Sequence, residues 1–136
     1  MESIRQMAVE VGYHNHLIVH VTLVPYIQAS EELKTKPTQH SVMKLREIGL
    51  SPDIIMCRSS YSLSDSVAEK IALFCNVPKD HVIEGKEVKS IYEVPLVLDK
   101  QKMGHRRIAQ SGKSFSKISA TRRAFYIRIR FTRRRK

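Results

Sequence analysis

In the run Lys34-Thr35-Lys36-Pro37-Thr38-Gln39 two lysines bracket a threonine. In extended backbone, residues two apart point to the same side, so the run would present a fixed pair of cations. Pro37 stiffens the turn, and Thr38 is a good N-cap for a helix over 39–48 with Val42, Leu45 and Ile48 on one face. Lysines, hydroxyls and the open N–H groups of a helix N-terminus together suit a phosphate or another anion. The bland alternative for the same residues is a solvated loop leading into a helix.

Other residues of chemical type form no convincing set. His14, His16 and His20 sit close in sequence, but they precede or enter an apolar run and lack further ligands at metal-site spacing. Asp53 and Glu84 flank strand-like runs and read as end-of-strand polar residues. Cys57 and Cys75 form no C-x-x-C pair and lie in the apolar stretches Ile-Ile-Met-Cys and Leu-Phe-Cys, as small buried thiols do. Neither has the flanking glycines of a nucleophile elbow. Gly112-Lys113-Ser114 echoes the end of a phosphate loop, but Arg107 stands where its first glycine belongs. No catalytic residue and no metal ligand is assigned.

The elements that would position the lysine run alternate. Ile4, Met7, Ala8 and Val11 have helical spacing over 3–12. Residues 18–24 are β-branched and apolar on both faces, as a central parallel strand is, and Pro25 closes them. Gly49 suits the left-handed position after the 39–48 helix. A second buried strand is expected at 53–57. A helix then opens at the capping-box spacing Ser62 to Asp65, with Val67, Ile71 and Phe74 inward. A third strand is expected at 81–84, and 89–102 reads as a helical or turn segment broken by Pro95. This order predicts an α/β fold with a parallel sheet.

Of 136 residues, 24 are Lys or Arg and 13 are Asp or Glu, a net charge of +11. Residues 104–136 hold twelve of those cations and no acid, which leaves twelve cations against 13 acids in the remainder. The excess charge therefore belongs to the last quarter, which reads as a disordered basic tail in which only Tyr126 to Phe131 alternates like a strand. A small nucleic-acid-binding protein using this Arg-rich tail, with Phe115, Phe125, Tyr126 and Phe131 interleaved, is the alternative reading. No apolar run approaches a membrane span, and the cysteine usage points to a reducing cytoplasmic setting.

Several blocks in register carry a resemblance. Glu-Leu-Lys-Thr-Lys-Pro-Thr-Gln-His-Ser-Val, Ile-Gly-Leu-Ser-Pro-Asp-Ile-Ile-Met-Cys-Arg-Ser, Lys-Ile-Ala-Leu-Phe-Cys-Asn-Val-Pro and Ser-Ile-Tyr-Glu-Val-Pro-Leu-Val-Leu resemble the second half of the CTP synthase amidoligase domain. Ile4-Arg5-Gln6 and His20 to Tyr26 match it too, so the resemblance runs from about residue 2 to residue 102. It implies a Rossmann-like, P-loop-like synthetase fold, of which 1–103 would be a fragment and 104–136 an unrelated tail, as a frameshift would leave. It implies ATP-dependent amination of UTP to CTP, with Mg²⁺, in a homotetramer; UTP, CTP and ATP would be the partners, and nucleic acid would bind the tail only non-specifically. The UTP/CTP-binding residues would be Lys34, Thr35, Lys36, Pro37, Thr38, Gln39 and Lys70. The ATP-contacting stretch would be Lys86, Glu87 and Val88, where the family usually has Asp at the position of Glu87. The family's phosphate loop, its acidic Mg²⁺ ligands and its glutaminase domain have no counterpart here, so the chain alone is expected to be inactive. A regulatory subunit that joins a full-length synthetase is a further reading of the same resemblance.

Overall fold

The computed structural model describes residues 2–88, 90–101 and 103, and the backbone at 107–108, 113–114 and 126–127. Three parallel strands, β1 (Val19–Leu23), β4 (Ile54–Ser59) and β5 (Val82–Lys86), form the body of the sheet in the order β5-β4-β1, and a two-residue strand described below adds to it beside β1. The registers are Val19 opposite Ile54 and Ile55 opposite Val82. Between β1 and β4 lie a two-residue hairpin, β2 (Tyr26–Ile27) with β3 (Glu32–Leu33), and helix α2 (Lys36–Glu47). Helix α3 (Asp65–Phe74) links β4 to β5, and helices α1 (Glu2–Val11) and α4 (Val94–Lys100) flank the core.

The alternation of side chains along each strand sorts the core into two faces. Leu17, Val19, Ile54 and Ile83 point to one side and meet Met103 and Leu98 of α4. Ile55 and Cys57 point to the other, where Val42 of α2 and Ile71 and Cys75 of α3 close over them. At the lower end of that face Ile18, Leu45 and Leu50 are buried with Ile4 and Ala8 of α1 against them. The edge strand β5 is satisfied by a side chain: the Gln101 amide accepts from Glu84 N at 2.9 Å and donates to Glu84 O at 2.7 Å.

The α/β class and the three parallel strands are those expected; several boundaries differ. Helix α2 starts at Lys36, three residues before the expected start, with Thr35 rather than Thr38 at the N-cap position. Pro37 lacks an N–H and has a helical φ, so it belongs inside the first turn. Helix α3 is capped by Ser64, whose hydroxyl accepts from Val67 N at 3.4 Å, not by Ser62. Phe74 is 57% exposed rather than inward. The buried face of α3 centres on Ile71 and Ala72, continued by Cys75 at the C-cap, and Phe74 lies roughly 100° around the helix from that centre. Pro95 opens α4 instead of breaking a segment, after a 3₁₀ turn at Ile91–Glu93. Glu84 lies within β5, not at its end.

In the basic region β6 (Arg107–Ile108) pairs antiparallel with β7 (Lys113–Ser114). Strand β8 (Tyr126–Ile127) pairs parallel with β1, with Val19 opposite Tyr126. The rest of 104–136, and with it the expectation of a disordered tail, lies outside the described residues. Among the described residues no helix is long and apolar enough to cross a membrane.

Candidate nucleotide site

In a parallel α/β sheet the loops leaving the carboxyl ends of the strands collect at one edge, where ligands bind. Pro25 to Leu33 leave β1, Ser60 to Ser64 leave β4, and Glu87 and Val88 leave β5, so all three loops open on that edge. The candidate lysine run ends the first of them. Lys34 N donates to Pro25 O at 2.9 Å and anchors the run beside the end of β1. Glu31, with φ 49°, makes the tight turn between β2 and β3.

Thr35 has helical backbone (φ −84°, ψ −17°), so Lys34 and Lys36 do not alternate as they would in a strand. The lysine pair expected from extended backbone is replaced by Lys34 before the N-cap and Lys36 as the first helical residue. Lys36 and Pro37 are exposed, and Lys34 and Gln39 half-buried. Lys34 is ion-paired with Glu32. Thr35 and Thr38 are buried, at 6% and 0% exposure, and their hydroxyls face the protein. Gln39 Nε2 donates to Thr35 Oγ1 at 3.1 Å, and Thr38 Oγ1 donates to Leu23 O at 3.2 Å.

Among the described residues no side chain caps the α2 N-terminus. Of its first-turn residues Pro37 has no N–H and Thr38 is fully buried, so the amide left open to an acceptor is that of exposed Lys36. Lys36 thus offers an anion a backbone donor and a cation at the positive end of the helix. Lys70 is an exposed residue of α3, and among the described residues it has no ion-pair partner. Lys86, the last residue of β5, and Glu87 just beyond it are exposed and Val88 half-buried; Glu87 reaches Arg58 at 3.9 Å, and its amide donates to Ser59 O at 3.4 Å.

Two features of this edge carried no signal in the sequence. Tyr26 and Tyr61 join the loops after β1 and β4, with ring centroids 4.2 Å apart. Under α2, His20 Nε2 lies 2.8 Å from Ser41 Oγ, and Thr22 Oγ1 donates to Thr38 Oγ1 at 3.3 Å. Burial holds His20 below the usual imidazole pKa.

The remaining chemical residues are structural. Burial pushes Cys57 up to about 12 and Cys75 up to about 11, so both stay as unreactive thiols at neutral pH. Asp53 Oδ2 accepts from Ile18 N at 2.7 Å and ties the starts of β1 and β4 together. His81 Nδ1 lies 3.0 Å from Asp53 O. Among the described residues no three His, Cys, Asp or Glu side chains converge on a point that could hold a metal ion. A cavity of about 630 Å³ opens at the opposite, amino edge of the sheet, lined by Arg5, Tyr13, His16, Leu50, Asp53 and His81.

The family model described as CTP synthase N-terminus matches residues 1–111. A CTP synthase of Methanocaldococcus jannaschii is 55% identical over 104 residues, covering 76% of this chain and 19% of that protein. One of Bdellovibrio bacteriovorus is 50% identical over 119 residues, covering 88% and 22%. One of Caldanaerobacter subterraneus is 55% identical over 103 residues, covering 76% and 19%. The chain thus spans about a fifth of the length of these relatives.

Proposed function

Since the chain belongs to the CTP synthase N-terminus family, we propose that it carries the UTP/CTP-binding segment of a synthetase that aminates UTP to CTP with ATP. The observation that carries the reading is the uncapped first turn of α2 at the carboxyl edge of the sheet, with Lys36 exposed beside it. A triphosphate meets the Lys36 amide there at the positive end of a helix dipole, and a cation on a flexible stem. Lys34 joins by leaving Glu32, and Lys70 reaches from α3 with its long side chain. The buried hydroxyls of Thr35 and Thr38 hold the turn, and Gln39 and Pro37 shape it. Lys86, Glu87 and Val88, at the end of β5 on the same edge, form the ATP contact. Among the described residues no three His, Cys, Asp or Glu side chains form a metal cluster, and Mg²⁺ is assigned to no residue of this chain.

The segment that does this work is 1–103. The basic residues 104–136 add non-specific affinity for nucleic acid and nothing to triphosphate recognition. The complete synthetase works as a tetramer in the cytoplasm, and this chain alone does not turn over UTP. The test is Lys36→Ala in a complete synthetase carrying this segment. One charged hydrogen bond to phosphate contributes about 1.5–3 kcal/mol, so UTP dependence weakens roughly 10- to 150-fold. Glutamine hydrolysis stays largely intact. Loss of ATP dependence with UTP dependence unchanged would assign the turn to the wrong nucleotide.

A further inference from the structure

Along β1 the side chains that face α2 are Ile18, His20, Thr22 and Val24, two polar residues in the middle of an apolar row. The face of α2 that meets them runs the other way over three levels: Leu45 in the cluster with Ile18, Ser41 on His20, and Thr38 on Thr22. Polar meets polar and apolar meets apolar at each level. His20, Thr22, Thr38 and Ser41 are all buried, at 0%, 7%, 0% and 5% exposure.

The hydrogen bonds run in one direction. Thr22 donates to Thr38, and Thr38 donates to Leu23 O at the last residue of β1. His20 Nδ1 has no partner among the described residues. His20 Nε2 and Ser41 Oγ share one hydrogen bond at 2.8 Å, and the imidazole tautomer decides which of them donates. Sliding α2 along β1 would set His20 or Thr22 against Leu45 or Val42 and leave their polar atoms buried and unpaired. Buried polar pairs of this kind specify register more than they add stability.

We infer that His20–Ser41 and Thr22–Thr38 form a register lock that positions the first turn of α2, and through it the affinity for the triphosphate of UTP. His20, Thr22 and Ser41 are positioning residues: they touch the helix, not the nucleotide. The link to UTP rests on the function proposed above; the lock itself does not.

The experiment uses the 136-residue chain with Thr22→Val, Ser41→Ala and His20→Gln, the last keeping an N–H donor near the Nε2 position. Amide hydrogen exchange is read in α2 and, as an internal reference, in β4 and β5; UTP affinity is read by titration. Losing one buried hydrogen bond is expected to speed exchange about five- to tenfold in α2 while the β4 and β5 amides keep their rates. UTP binding weakens by a similar factor in Thr22→Val and Ser41→Ala, and His20→Gln stays near the parent in both readouts. A uniform rise across helix and sheet would show a merely stabilising contact and overturn the lock. Faster α2 exchange with unchanged UTP affinity would overturn the positioning role. If the parent chain takes up no UTP, the nucleotide reading falls and takes that role with it, while the exchange rates still decide the lock.

Discussion

Replacing His20 by Gln removes a titrating group from the interior while keeping a donor for Ser41, and the consequence is a change in how stability depends on pH. In the folded chain the imidazole is fully buried, has one hydrogen bond through Nε2 and offers an unpartnered Nδ1. Protonation would place a charge and a second N–H where no acceptor waits, and burial accordingly lowers the pKa from 6.5. The unfolded chain therefore binds this proton more readily than the folded one, and stability falls as pH drops below about 6.5 until the folded pKa is reached. One proton sets a limiting slope of about 1.4 kcal/mol per pH unit. Between pH 6.5 and 5.5 the loss attributable to His20 is up to about 1 kcal/mol, out of roughly 5–15 for a typical domain. Urea unfolding from pH 7.5 to 5.5 reads it as a midpoint that falls by roughly 0.3–1 M more in the parent than in His20→Gln. The acidic groups and His81 are common to both proteins and cancel in the difference. Parallel curves for the two proteins would refute the assignment of a buried neutral imidazole.

Ile55→Ala empties a fully buried position between the sheet and its helices and is expected to cost about 2–5 kcal/mol in chemical denaturation. Phe74→Ser, at a position the sequence pattern placed inward and the structure leaves 57% exposed, is expected to change stability by less than about 0.5 kcal/mol. Cys57 and Cys75, with thiols pushed up to about 12 and 11, should resist a thiol reagent at pH 8 in the folded chain and react at once in urea, as mass spectrometry would record.

The parallel strands were legible because 18–24 and 53–57 are apolar on both faces, a pattern that only a sheet covered on each side requires. Left-handed backbone at Gly49 followed from its place after a periodic run, and its φ is 81°. An added Cβ there would also lie 3.1 Å from Arg5 Cδ. The start of α2 was misplaced because Thr38 looks like a cap, yet a proline fits the first turn equally well, and burial of Thr38 against Leu23 O settled the matter. Phe74 was drawn inward by hydrophobicity alone, whereas the packed face of α3 is narrow and filled by Ile71, Ala72 and Cys75. The lysine run itself stood out. The seam beneath it did not, because His20 and Thr22 in a β-branched run carry no mark of which helix they will meet.

Titration of UTP into the ¹⁵N-labelled chain, followed residue by residue, reads directly whether the first turn of α2 takes a triphosphate. Saturable shifts led by the Lys36 amide and spreading through Thr38 and Gln39 are expected, with a response at Lys70 and with their loss in Lys36→Ala. Shifts confined to the amino-edge cavity around Arg5 and His81, or to Lys86 through Val88 alone, would contradict that reading, as would a spectrum unmoved by millimolar UTP.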